Sequence, residues 1–361
     1  MKKRELFVFS GQSNMMGACV YPPTEQISFD RSFQYYHTPK RLKEDCGVFQ
    51  ANAYPCGEFC YKDLKKAYEN TDVYGKSLLN DYQKNTYFCP SLSNLQSDEN
   101  KSEYPFSRYS ESNASVGASL APYIVKEWEG LNRQCNFTHI AKGNVSINYY
   151  FNKEMIEKLN KLIKKYNLKN KADLPYQELS EDSGVGDYFI EKIKDFFADS
   201  KKVYFNENLD TKCFFWLQGE SDCSKSKQLY KLYLQVLWGK LKTLGFTHFF
   251  CIRVGFWEKD SVTEIMKAQE EFCQQEPDAY MLTRVCSYMP TPNQNIEKWY
   301  GRQENVCQFL NCRDSFFGFN NNHINQRGFE IISKASIKNL RNVLIDNLPV
   351  QIEQEKCLPL K

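Results

Sequence analysis

Residues 5–17 read ELFVFSGQSNMMG, an almost unbroken apolar run that stops at Gly11 and gives way to polar residues. A short, near-continuous apolar segment is what a strand buried on both faces looks like. A glycine directly behind it lets the chain turn sharply off the strand. Four more runs have the same character: CNFTHIA (135–141), TKCFFWLQ (211–218), HFFCIRVGF (248–256) and AYMLTRV (279–285). Segments with helical period lie between and after them, at 116–128, 225–244, 262–275 and 328–347. Strands alternating with helices predict an α/β fold with right-handed crossovers. The expected architecture is a three-layer α/β/α sandwich around a central, mostly parallel five-stranded sheet.

Two stretches fall outside this alternation. Residues 21–113 are rich in aromatic, Ser, Asn and Lys residues with little periodicity, which predicts long loops that wall a cleft. Residues 148–208 contain FNKEMIEKLNKLIKKYN and YFIEKIKDFF, read as a solvated helical pair. With no internal repeat and no low-complexity linker, residues 1–361 read as a single domain with insertions at about 21–113 and 148–208.

Composition narrows the function. The 361 residues include 47 Lys and Arg against 44 Asp and Glu, a net charge of +3, too balanced to predict nucleic acid as a partner. Purely apolar runs such as LFVF are far shorter than the roughly 20 residues needed to cross a bilayer, so no membrane span is expected. The start MKKRELFVFSGQSNMM has a basic end but neither a long apolar core nor a small-residue cleavage site, and it reads as cytoplasmic. Fourteen cysteines occur with no CxxC pair, and Cys135, Cys213 and Cys251 sit inside apolar runs, which predicts free buried thiols. There is no HExxH and no clustered histidine, so neither a metal nor another cofactor is expected.

Ser13 lies just past the carboxyl end of the first strand, where open α/β sheets build their sites. A helix starting there would aim its free N–H groups at charge developing beside the hydroxyl. Two readings stand: a nucleophile, or Ser13 and Asn14 as helix caps. The GxSxG elbow is absent because position 15 is Met. A serine nucleophile needs a base, and there are four histidines. His139 and His248 lie in apolar runs and read as core residues, and His37 sits in YYHTP. His323, in GFNNNHINQRGFEIISKA before the last helix, is either the base or a helix-entry residue. In KCFFWLQGESD the strand breaks at Gln218 and Gly219. Gln218 is either an amide donor to an oxyanion or a turn residue, with Ser221 or Asp222 capping the next helix. Gly143, in HIAKGNVSI, ends the second strand and offers a backbone N–H.

The segments SGQSNMMG, AKGNVSI, WLQGESD and NNNHINQRG stand in the order and rough spacing of the SGNH hydrolases. The chain resembles their sialate O-acetylesterase and acetylxylan-esterase-like branch, in which GQSNM and WxQGExD are signatures. The resemblance implies a flavodoxin-like sandwich and a serine esterase acting on O-acylated carbohydrate. It implies Ser13 as nucleophile, His323 as base, and an oxyanion site made of the Ser13 and Gly143 N–H groups with the Gln218 amide. Gly117, which opens a helix, is a weaker claimant to that site. Gln12, Asn14, Asn144 and Glu220 match motif positions in the cleft or beside it. One departure stands out: the DxxH pattern asks for an acid at position 320, where this chain has Asn320. The partner that orients His323 is then Asn320, a backbone carbonyl, Asp314 or Glu220. The rival readings are an acyltransferase, a lipid or aryl esterase on the same site, and a carbohydrate-binding protein on a weakened catalytic scaffold. Aromatic residues make up 15% of the chain, which suits stacking on sugar faces as well as a packed core.

Overall fold

The computed structural model describes residues 2–16, 27–35, 106–107, 109–110, 120–141, 145–170, 176–180, 186–255, 262–288, 324 and 326–352. Among these, seven strands form one sheet: β1 (Glu5–Gly11), β2 (Phe33–Tyr35), β3 (Phe106–Ser107), β4 (Cys135–Ala141), β5 (Lys212–Leu217), β6 (His248–Ile252) and β7 (Ala279–Thr283). Their order is β7-β6-β5-β1-β4-β2-β3, and every pairing is parallel except that of β2 with β3. The five strands read from the sequence are five contiguous ones, β7-β6-β5-β1-β4. The expected sheet of five grows to seven because the stretch at 21–113, expected as loops, contributes β2 and β3. At three and two residues, these strands are too short to show any alternation.

The helices are α1 (Ser13–Met16), α2 (Leu120–Gly130), α3 (Lys153–Asn170), α4 (Gly186–Val203), α5 (Lys227–Thr243), α6 (Val262–Gln275) and α7 (Gln326–Arg341). Strand side chains alternate, so Leu6 and Val8 of β1 enter one core while Phe7 and Phe9 enter the other. The first core is closed by α3, α4, α5 and α6, the second by α2 and α7. This is the expected α/β/α sandwich, and all seven residues of both β1 and β4 are buried. Phe9 stacks on Phe215 at 4.5 Å across β1 and β5, and Phe214 stacks on Trp216 at 5.9 Å on the opposite face. Each buried aromatic of this kind contributes roughly 1.5–3 kcal/mol through area removed from water.

The helical pair expected to be solvated is instead part of the outer layer. Met155, Ile156, Leu159 and Ile163 make one stripe of α3, and Phe189, Ile190, Ile193 and Phe196 make one of α4; all are buried in the first core. The lysine content of α3 masks a stripe that is apolar at helical spacing. The entry to α5 also differs from expectation: Ser226 Oγ accepts the Leu229 N–H at 3.2 Å, so Ser226 is the cap, not Ser221 or Asp222. Among the described residues Cys135, Cys213, Cys223, Cys251, Cys273 and Cys286 are free thiols, as expected, and burial pushes Cys135 and Cys213 well up, away from thiolate chemistry. No helix among the described residues is long and apolar enough to cross a membrane.

Candidate active site

The chain leaves β1 toward β2 on one side of the sheet and later returns through β5 on the other. Open α/β sheets with such a reversal build their crevice at the carboxyl ends of the strands beside it, here β1, β4 and β5. Gly11 ends β1 with φ +147°, and a Cβ there would sit 2.0 Å from the Leu217 carbonyl oxygen on β5. The Gln12 N–H donates to that same carbonyl at 3.1 Å, and the Tyr150 hydroxyl donates to the Gly11 carbonyl. Strand β1 is thus turned away from β5 at a fixed point, and Ser13 follows.

Ser13 opens α1, which spans a single turn rather than a longer helix. The residue is 8% exposed, and among the described residues its hydroxyl makes no hydrogen bond. It therefore does not cap α1. Asn14 does not cap it either: its Nδ2 donates to Glu220 Oε1 at 2.8 Å, and its Oδ1 accepts the Ile324 N–H at 3.0 Å. One side chain thereby ties together the residue after Ser13, the QGESD segment and the residue after His323.

Gln218 is fully enclosed, and its amide is spent inside the fold. Its Nε2 faces Asp222 Oδ2 at 2.5 Å, the Val145 carbonyl at 3.2 Å and Gln12 Oε1 at 3.2 Å, three acceptors for two hydrogens. Its Oε1 accepts from the Tyr230 hydroxyl at 2.7 Å, and its backbone carbonyl accepts from Gln269 Nε2 at 2.8 Å. This arrangement gives Gln218 the task of joining β5 to its surroundings and leaves no hydrogen for an oxyanion. Asp222, also fully buried, accepts from the Ile147 N–H at 2.9 Å and from Ser146, and pairs with Lys225 at 2.6 Å. The segment at 145–150 is held against the QGESD turn in this way. Nothing in the sequence pointed to Val145, Ser146, Tyr150, Tyr230 or Gln269, whose partners are distant in the chain.

Glu220 is 5% exposed, with Oε1 held by Asn14 and Oε2 without a partner among the described residues. Burial pushes its carboxyl up from the ordinary range, against the Asn14 hydrogen bond. His139 behaves as the core residue expected: Nε2–H donates to the Met15 carbonyl at 2.5 Å, and burial drives its pKa down to about 4. A neutral imidazole here fastens α1 to β4. His248 shares a 2.8 Å hydrogen bond with Thr247 through Nδ1, and burial lowers its pKa as well. His323, Asn320, Asp314, Gly143, Asn144, Gly117 and His37 lie outside the described residues.

No protein-family model matches the chain, and no curated protein does. Among solved structures it is similar to a carbohydrate acetylesterase from Xanthomonas citri, with 10% identity, a TM-score of 0.45 and coverage of 94% of this chain. It spans 56% of that protein's length. It is also similar to NanS (10% identity, TM-score 0.43, 96% of this chain and 98% of that one). A protein from Arabidopsis thaliana is a third match (9% identity, TM-score 0.42, 93% and 97%). Chemically, the described residues put a serine hydroxyl that none of them bonds just past the end of the central strand, beside Asn14, which holds the buried Glu220 carboxyl.

Proposed function

We propose that the protein is a serine esterase that removes acetyl, or another small acyl group, from a carbohydrate hydroxyl. The observation that carries this reading is the Asn14 clamp, which ties GQSNM, QGESD and the residue after His323 together next to Ser13, whose hydroxyl makes no hydrogen bond among the described residues. His323 takes the Ser13 proton as Oγ attacks the ester carbonyl. The N–H groups of Ser13 and Gly143 hold the tetrahedral oxyanion. When the intermediate collapses, His323 returns the proton to the departing sugar oxygen. Water then attacks the acyl-enzyme by the same route and releases the acid. Gln218 and Asp222 keep the turn after β5 in place.

The test is acetate release from 4-nitrophenyl acetate and from a panel of O-acetylated sugars, paired with fluorophosphonate labelling and peptide mapping. Turnover with the adduct on the Ser13 peptide is expected. Binding of acetylated sugar without release, and without an adduct, would favour a carbohydrate-binding protein instead.

Position 320 has its own prediction. If Asn320 accepts the imidazole N–H of His323, then Asn320→Asp holds or raises kcat, because a carboxylate adds charge stabilisation of the imidazolium to the same orienting bond. Asn320→Ala lowers it. Unchanged kcat in both variants would move the orienting role to another group.

A further inference from the structure

A side-chain amide has one oxygen that accepts and one nitrogen with two hydrogens to donate, so its orientation decides what it can do. For Gln12 the orientation is set by Ser221. A backbone N–H can only donate, so the Gln12 atom 3.1 Å from the Ser221 nitrogen is Oε1. Gln218 Nε2 reaches the same oxygen at 3.2 Å. With Oε1 held by two donors, Nε2 is turned away from the QGESD segment. Among the described residues it meets no acceptor, although Gln12 is only 2% exposed. Gln218 is the mirror case. Its orientation is set by the Tyr230 hydroxyl and the Asp222 carboxylate, and its hydrogens are consumed. Of the two glutamines at the carboxyl ends of β1 and β5, the one with donors to spare is joined by a peptide bond to Ser13.

We infer that Gln12 Nε2 is the side-chain donor to the oxyanion, the part that the motif resemblance assigns to Gln218. The inference rests on the serine-esterase reading and refines it. As Ser13 Oγ bonds to the acyl carbon, the carbonyl π pair moves onto oxygen, and Gln12 Nε2–H, with the two backbone N–H groups, receives that charge. Collapse of the intermediate restores the carbonyl and releases the hydrogen bond. A donor with no protein acceptor among the described residues has no bond within that part of the fold to give up when charge develops, and it binds a charged oxygen more strongly than a neutral ester carbonyl, which makes its contribution larger in the transition state than in the ground state.

Gln12→Glu keeps the length and the acceptor for the Ser221 N–H while replacing the donor by a carboxylate oxygen. Gln12→Met keeps the length and removes both. The variants are compared with wild type and Ser13→Ala using 4-nitrophenyl acetate, and the variant with wild-type near-ultraviolet circular dichroism is the one scored. The expected result is a loss in kcat of about 10²–10³-fold with KM within about threefold, the pattern of a lost oxyanion donor. Fluorophosphonate inactivation, whose adduct places an oxygen in the same position, slows in parallel. A folded Gln12 variant with kcat within about threefold of wild type, beside an inactive Ser13→Ala, overturns this inference and leaves the esterase reading standing. An active Ser13→Ala overturns both.

Discussion

Ser13→Ala is expected to lower the turnover of 4-nitrophenyl acetate by about 10³-fold or more while moving Tm by no more than about 2 °C. Loss of the nucleophile removes the covalent route, and what remains is the catalysis that oxyanion donors and binding give to direct attack by water. A 10³-fold loss corresponds to about 4 kcal/mol of transition-state stabilisation. Stability is expected to hold for a separate reason. Among the described residues the Ser13 hydroxyl makes no hydrogen bond, so truncation leaves no partner unsatisfied, and alanine suits the helical turn it opens. Steady-state kinetics and thermal denaturation on the same preparation check both halves. Equal activity in variant and wild type would remove Ser13 as nucleophile. A large fall in Tm would mean that the hydroxyl supports the fold.

Gly11→Ala is expected to destabilise the protein by about 2–6 kcal/mol. Alanine at φ +147° carries backbone strain of about 1–3 kcal/mol. Its Cβ would stand 2.0 Å from the Leu217 oxygen and 2.7 Å from the Leu217 carbonyl carbon, and forcing bulk into a packed place costs about 1–3 kcal/mol more. The obstacle is backbone in the middle of the sheet, where β5 is held between β1 and β6, so no flexible side chain can yield. A fall in Tm on the order of 10 °C is the corresponding readout. Activity falls with it, because Gly11 sets the turn that delivers Gln12 and Ser13 to the crevice. A Tm within about 2 °C of wild type would show that the chain after β1 can shift away from β5 at little cost.

Much of the fold was legible because both faces of the sheet are covered. Strands of that kind must be apolar at successive positions, so β1, β4 and β5 are visible as runs, and α6 coincides with its periodic segment at 262–275. The short strands β2 and β3 escaped because two or three residues carry no period. The layer role of α3 escaped because its lysines dominate the composition, while only the stripe from Met155 to Ile163 shows which side is buried. At the site, the motif order pointed to Ser13, and the apolar settings of His139 and His248 marked them as core residues.

By itself the sequence determined the class of fold and the place of Ser13 at the end of the first strand, since both follow from residues adjacent in the chain. Which side chains at the site are spent was decided only in three dimensions. The bond from Ser221 to Gln12 joins residues 209 apart, and the clamp from Ile324 to Asn14 joins residues 310 apart. The parallel pairing of β1 with β5 brings the ends of GQSNM and QGESD into register, with Gly11 opposite Leu217. A hydrogen already given to Asp222 cannot also be given to an oxyanion, and that competition between distant partners leaves Gln218 occupied, while among the described residues the Gln12 amide nitrogen meets no acceptor.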